Sequence, residues 1–133
     1  MFVEIVFNFA LEILNLEKMN VTGLWKYKED FEFGKSEGEV RLVQMEDTLY
    51  GEFNFTEKVE DDYEIVVFEK VKGKIIEGIA VLESIEVLAK ENDRVVEDYI
   101  PNNFEVHLIS EDKLVGSSFD ADNVCGVFTL ERL

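Results

Sequence analysis

Apolar and polar side chains alternate along most of the chain after residue 20. Successive side chains of a β-strand point to opposite faces, so a two-residue period is typical of a strand with one buried face. In the first such stretch one face carries an aromatic row, Trp25, Tyr27, Phe31 and Phe33. The carboxyl-terminal stretch repeats the pattern with Gly126, Phe128, Leu130 and Arg132 on a shared face. Both ends of this region therefore predict half-buried strands.

Short turn sequences separate the alternating stretches. Glycine, serine and charged residues interrupt the pattern at 34–38, 46–47 and 58–62, and a longer connector around Pro101 precedes the last strands. About eight strands result, joined mostly by hairpin-sized connections. We therefore predict an all-β fold, an antiparallel up-and-down barrel over residues 21–133.

The hardest stretch to assign is residues 74–90, which is longer than an ordinary strand. Its apolar positions also fit a helical stripe, but its many isoleucine and valine residues favour β-structure. We predict one long strand, or two strands bent at Gly78 or Ser84, and a helix stays open as a third interpretation.

Residues 1–19 follow a different period. Glu4, Asn8, Glu12 and Asn15 recur at spacings of four, four and three, which gathers them into one polar stripe on an α-helix. The rest of that helix is apolar and needs a cover, either the barrel or a second copy in a homodimer. Because no basic region precedes the apolar run and two glutamates interrupt it, the segment fits neither a signal peptide nor a membrane span. We predict one domain, 1–133, with an amino-terminal helix at 1–19.

Three residues carry a resemblance to a known family. Gly23 and Trp25 open the first strand as glycine-x-tryptophan, and Arg132 lies on the last strand. This pattern resembles the lipocalin and wider calycin families, in which the two strands pair to close a barrel and the arginine lies over the tryptophan. The resemblance implies that Gly23, Trp25 and Arg132 form a structural latch.

The resemblance also implies a function, the binding of a small hydrophobic ligand in the mouth of the barrel. Glu29 shares the inward face of the first strand if the alternation is strict, and it is the candidate polar anchor for such a ligand. The candidate lining residues are aromatic side chains of the early strands, Trp25, Tyr27, Phe31, Phe53 and Phe55.

Charge and the scarcity of cysteine and histidine narrow the remaining classes. Thirteen basic and thirty acidic residues give a net charge of −17, which disfavours nucleic acid and anionic membranes as partners. The single cysteine, Cys125, precludes an internal disulfide and favours a reducing, cytoplasmic location. The single histidine, His107, lies opposite its apolar neighbours and is expected to face solvent. No metal cluster or cofactor is predicted, and Asp120 and Asp122 are assigned to a turn.

These observations predict a protein that is not an enzyme, but two alternatives stay open. A barrel filled by its own side chains would instead serve as an assembly module, with the amino-terminal helix as its interface. Under strict alternation Glu29 and Glu69 both face inward, where a carboxyl group among aromatic side chains would have a raised pKa. Such a group could act as a general acid, so catalysis is the third interpretation. A bulge or a strand end at these residues would instead turn them to solvent, and this is the favoured interpretation.

Overall fold

The computed structural model describes residues 19–121 and 126–133. The helix predicted for residues 1–19 lies outside this range except for Met19, and Asp122 and Cys125 lie outside it as well. The described strands are β1 Gly23–Phe31, β2 Gly34–Met45, β3 Thr48–Val59, β4 Tyr63–Ile76, β5 Ile79–Glu91, β6 Arg94–Val95, β7 Asn103–His107, β8 Lys113–Phe119 and β9 Gly126–Arg132. Within these residues no helix is long and apolar enough to cross a membrane.

The strands form one closed sheet. The strands β1 to β5 pair antiparallel in chain order. β5 then pairs with β7, β7 with β8, and β8 with β9. Pairing of β9 with β1 closes the ring, while the two-residue β6 pairs only with the end of β5. The fold is therefore a closed, eight-stranded, antiparallel up-and-down barrel, which confirms the predicted fold class.

The ambiguous stretch, residues 74–90, contains both predicted interruptions. Glu77 and Gly78 have φ values of 52° and 78°, and they form the tight turn between β4 and β5. A register shift then places one extra residue, Ile85, in β5 opposite the step from Lys70 to Val71. This β-bulge changes which residues face inward, from even-numbered positions before it to odd-numbered positions after it.

Aromatic side chains fill the middle of the barrel. The rings of Phe53 and Phe104 stack with their centroids 4.1 Å apart, and Tyr27 lies edge-on to both at 5.5 and 6.4 Å. Phe55 and Phe128 each approach Tyr27 to 5.4 Å. Offset and edge-to-face pairs of this kind stabilise a core beyond their buried area, by about 0.5–1.5 kcal/mol per pair. This aromatic cluster leaves the centre of the barrel packed with the protein's own side chains.

One prediction about the aromatic row of the first strand is wrong. The alternation predicts Phe33 beside Trp25 and Tyr27 on the inward face, but its side chain is 72% exposed. The reason is that β1 ends at Phe31 and residues 32–33 form the turn into β2, where the strand period no longer applies.

The latch residues meet at the end of the barrel where the described chain begins, which we call the closed end. The Arg132 guanidinium lies over the Trp25 ring, 4.4 Å from its centroid, and the two residues are cross-strand partners of β1 and β9. Gly23 has a φ of 147°, and a side chain there would approach Arg132 Nη1 to 2.8 Å. The positive φ explains why this position is glycine, because side chains of L-residues are strained in that backbone conformation.

The polar groups of the latch tie three chain segments together. Arg132 donates from Nε to the Glu111 carbonyl at 2.7 Å, from Nη1 to the Thr22 carbonyl at 3.0 Å and from Nη2 to the Asn20 carbonyl at 3.1 Å. The Trp25 indole donates to the Val21 carbonyl at 2.9 Å. One guanidinium thus holds the first described residues, the β7–β8 connection and the last strand in fixed relation.

Replacing the latch arginine tests how much stability this arrangement provides. We expect Arg132→Ala to lower the free energy of unfolding by about 2–3 kcal/mol, since it removes charged hydrogen bonds and a cation–π contact. Arg132→Lys keeps the positive charge but lacks the planar guanidinium, and it should lower the free energy of unfolding by a smaller amount. Urea titration followed by Trp25 fluorescence measures both. Arg41→Ala, on the exposed face of β2, is the control and should change stability by less than about 0.5 kcal/mol.

Candidate ligand site at the open end of the barrel

Four connections meet at the end of the barrel opposite the latch, which we call the open end. They are the links β1–β2, β3–β4, β5–β7 and β8–β9. The strand pairing brings inward-facing polar side chains together just below them, because Ser36 pairs with Glu29 on one side and with Glu57 on the other. The buried or half-buried members of this polar layer are Glu29, Ser36, Glu57, Glu69 and Ser118.

Glu29 lies directly above the aromatic cluster and is 8% exposed. Its carboxyl group accepts a hydrogen bond from the Tyr27 hydroxyl at Oε2 and one from Ser118 Oγ at Oε1, the latter at 2.6 Å. Gly126 on β9 makes room for it, since a side chain there would overlap Glu29 Oε1. Burial raises the pKa of Glu29 above its ordinary value, while the hydrogen bonds from Ser118 and Tyr27 oppose the rise.

Glu69 is completely buried between Phe53 on β3 and Val87 on β5. Asn102 donates to it twice, from the backbone N–H to Oε2 at 2.9 Å and from Nδ2 to Oε1 at 3.4 Å. Burial raises the pKa of Glu69 from 4.5 to about 7, and hydrogen bonds from Ser84 and Asn102 work against this shift. At neutral pH this carboxyl group therefore exchanges between its charged and neutral forms.

Glu57 completes the layer and connects to the β5–β7 link. It accepts hydrogen bonds from the Tyr63 hydroxyl at 3.2 Å and from the Tyr99 hydroxyl at 3.3 Å. Tyr99 in turn accepts one from Asn102 Nδ2 at 3.0 Å, which joins Glu57 to the Glu69 group. Burial is the main cause that raises the pKa of Glu57.

These three carboxyl groups have no basic partner among the residues that the structure describes. The ion pairs within that range lie outside the barrel, between Lys70 and Glu86 at 3.7 Å and between His107 and Glu105 at 3.6 Å. His107 is half exposed there, on the outer face where the alternation predicts it. The negative charge of Glu57 further raises the pKa of both Glu29 and Glu69.

The structure distributes the predicted lining residues over three levels of the barrel. Trp25 lies at the closed end, two inward positions and roughly 13 Å of strand from Glu29. Tyr27, Phe53 and Phe55 belong to the aromatic cluster in the middle. Phe31 is half-buried at the rim of the open end. Only the middle and upper levels can contact a molecule bound at the open end.

Sequence reasoning missed Glu57, Tyr99 and Asn102. Glu57 had a usable signal, since it follows Phe53 and Phe55 at two-residue spacing and so continues the inward face of β3. Tyr99 and Asn102 had none, because the β5–β7 link has no period from which side-chain directions could be inferred. Within residues 19–121 and 126–133 no group of acidic, histidine or cysteine side chains is arranged to hold a metal ion.

Comparison with known proteins shows that the fold of this chain is similar to that of several solved β-barrels. No family model matches the chain, and no curated protein matches it. A solved structure of a redesigned β-barrel, mFAP1 bound to DFHBI, is 16% identical with a TM-score of 0.57, covering 90% of this chain and 98% of that one. The redesigned barrel b11L5F_LGL is also 16% identical, with a TM-score of 0.57 and coverages of 91% and 95%. A fluorescence-activating β-barrel designed de novo is 10% identical, with a TM-score of 0.52 and coverages of 84% and 93%.

At these identities the shared property is the fold, an eight-stranded antiparallel barrel of a kind consistent with the calycins. The predicted membership of the lipocalin family has no support from these comparisons beyond that level.

The raised pKa values predict how stability depends on pH. Because the pKa of Glu69 is about 7 in the folded barrel and 4.5 when exposed, its contribution is complete below pH 4.5 and is lost as pH rises through 7. From pH 5.5 to 8 we expect the free energy of unfolding to fall by about 2 kcal/mol through this group. Glu69→Gln, which cannot ionise, should remove that part of the slope in urea titrations. Glu64→Gln, exposed on the same strand, is the matched control, and an unchanged slope in Glu69→Gln would contradict the assignment.

Proposed function

We propose that this protein binds a small, largely apolar organic molecule at the open end of the barrel, with Glu29 as its polar anchor. The observation that carries the proposal is the buried carboxyl layer. Withdrawing carboxylates from water costs several kcal/mol unless a cation compensates them, and the described residues provide none. Groups with pKa values shifted by burial are concentrated at functional sites.

The shape of the barrel supports a ligand at this level rather than deeper. An eight-stranded barrel encloses just enough room for its own side chains or for one small ligand. The aromatic cluster occupies the middle, so the ligand would rest on Tyr27 and Phe55 and meet Glu29 beside them. Two of the similar designed barrels were solved with DFHBI bound, which supports the same use of the fold here. The arrangement of Gly23, Trp25 and Arg132 supports a lipocalin-type origin for it.

Binding is proposed in preference to catalysis. An enzyme would differ from a binding protein in how it responds to substitution of the carboxyl groups. Glu69, with a pKa of about 7, has the value that suits a general acid at neutral pH, and Glu29 has a raised pKa as well. An enzyme that used either residue would lose turnover on substitution by glutamine while still binding its substrate. The cytoplasmic location suggested by the single cysteine stays a prediction, as does the lack of a nucleic-acid partner suggested by the charge of −17.

A second candidate, an assembly module, is favoured by the outer wall. Val66, Ile85 and Leu88 on β4 and β5 are 43–58% exposed, and together they form an apolar surface outside the barrel. Burial of this surface against another copy of the chain would leave the filled barrel with a structural role. The predicted dimer through residues 1–19 belongs to this candidate.

Native mass spectrometry of the purified chain separates the two candidates. Ligand binding predicts an added small-molecule mass that disappears on denaturation, and assembly predicts a dimer or larger species without that mass. For a ligand with a hydrogen-bond donor, Glu29→Gln should weaken the affinity roughly tenfold, because it removes a charged acceptor worth about 1.5 kcal/mol or more. The fraction of protein that retains the ligand should fall accordingly.

The neutral fluorescent probe Nile red provides a second readout, and Glu37→Gln on the exposed face of β2 is the matched control. The absence of both a retained mass and micromolar binding of Nile red would contradict the proposal. Equal retention of a donor-bearing ligand by Glu29→Gln and the unsubstituted protein would remove Glu29 from its assigned role as anchor. Nile red has no N–H or O–H donor, so it tests only the apolar part of the site.

A further inference from the structure

The link from β6 to β7 crosses the open end, and we call its residues 96–102 the strap. Three of its side chains, those of Val96, Tyr99 and Asn102, are half-buried, and the residues between them are exposed. Val96 packs against the core and donates its N–H to the Ala89 carbonyl at 2.9 Å. Tyr99 also packs against the core, whereas Ile100 is 40% exposed and Pro101 faces solvent. The strap therefore lies over the polar layer as a thin cover.

The strap replaces a missing part of the barrel wall. β5 pairs with β7 only from Ile79 to Leu82, and the pairing ends at Leu82 with Phe104. Beyond it, the Ser84 N–H of β5 donates to Asn103 Oδ1 at 3.0 Å instead of to a backbone carbonyl, and Pro101 further along has no N–H to offer. A groove of about 600 Å³ marks this gap on the outside. It is lined by residues of β5, the strap and the β8 end, among them Ile85, Ile100 and Phe119.

The strap's attachments to the polar layer are to carboxyl groups. Asn102 donates to Glu69 from its backbone and its side chain, and Tyr99 donates to Glu57. Elsewhere around the barrel, neighbouring strands are held by continuous backbone ladders. A segment held by a few side-chain contacts opens at a lower free energy than one held by a ladder.

We propose that the strap is a gate over the open end, and that the protonation of Glu69 decides whether it stays shut. When the carboxyl group is neutral, the strap can cover it without burying a charge. When it is ionised, opening of the strap returns the charge to water. The proposal rests on the proposed function only in naming the molecule that the gate would admit, since the opening itself requires no ligand.

The acidic groups around Glu69 all act in the same direction, and the hydrogen bonds from the neutral donors Ser84 and Asn102 oppose them. Glu57 faces it from β3 and Tyr99 from the strap, and Asp120 at the end of β8 raises the pKa of Glu57 in turn. Ser84 on β5 and Asn102 on the strap are neutral. Glu29 on β1 is coupled to the set through Glu57. Because the ionisable members are acids, a rise in pH adds negative charge under the strap.

The direction and range of the effect follow from linkage. Glu69 has a pKa of about 7 under the closed strap and 4.5 when exposed. Opening should therefore be rarest below pH 4.5, rise by up to about tenfold per pH unit between pH 4.5 and 7, and level off above pH 7, where the closed form is ionised as well. The difference of about 2.5 pKa units limits the total change to roughly 300-fold.

Hydrogen–deuterium exchange of the full chain from pH 5 to 8 tests the gate directly. After correction for the intrinsic exchange rate, the hydrogen-bonded amides of the strap, Val96 and Asn102, should lose protection as pH rises. They should also be less protected at every pH than amides of the barrel core such as Val67. Glu69→Gln should keep the strap protected across the range, and Glu64→Gln, on the exposed face of β4, should behave like the unsubstituted protein.

Three results would overturn the proposal. Equal protection of strap and core at each pH would show that the strap opens only when the whole barrel unfolds. A pH dependence that persists in Glu69→Gln would remove Glu69 as the controlling group. Should Glu69→Gln not fold, Asn102→Ala is the second variant, and it should release the strap at pH 5 without changing the core. Strap protection unaffected by that substitution contradicts the attachment.

Binding of Nile red, measured in parallel, separates this proposal from the previous one. Opening that depends on pH without any probe binding would support the gate and contradict the ligand site. Probe binding whose association rate does not change between pH 5 and 8 would support the site and contradict the gate.

Discussion

Pairing of β1 with β9 is the constraint on which the rest of the structure depends. A sheet that closes on itself has no free edge, but its eight strands must then share one interior of fixed width. Every inward-facing side chain is consequently packed against residues from the opposite wall. The latch secures this closure at one end, where Arg132 joins the last strand to the segment that precedes the first.

Closure also explains why the two ends of the barrel differ. At the closed end, Val21 and Met19 are buried, and the arginine donates hydrogen bonds to three backbone carbonyls. At the open end the four connections vary in length, and the longest, between β5 and β7, cannot continue the ladder. Polar side chains reach inward there because hydroxyl and amide groups from the connections can satisfy them. The carboxyl layer therefore depends on the closed barrel beneath it, and the connections above complete it.

Much of this architecture could be predicted from two-residue periodicity. The strands with one clean apolar face, β1 and β9 above all, were assigned correctly, since strand sterics relate side-chain direction directly to position. Their pairing is implied by the resemblance that Gly23, Trp25 and Arg132 carry. The positions of Trp25 and Glu29 relative to a site could not be predicted, because alternation gives the face of a residue without its height in the barrel. Strict alternation places Glu69 inward, as the structure has it, but alternation alone leaves a bulge or an exposed strand end open at this residue. Its partner Asn102 lies 33 positions away in an aperiodic link. A contact between a strand and an aperiodic link depends on the folded chain as a whole and has no local sequence pattern.

The extra residue in β5 has a consequence for how the sequence of this strand can vary. Ile85 divides β5 into two halves whose inward positions obey opposite parity, so a substitution tolerated at an odd position in one half is not tolerated in the other. Loss of one residue from the second half would turn Ala89 outward and bring the neighbouring Leu88 or Lys90 into the interior. Insertions and deletions should therefore be confined to the turns that flank β5, and the two halves can diverge only by substitution. The bulge therefore constrains the number of residues that β5 can have.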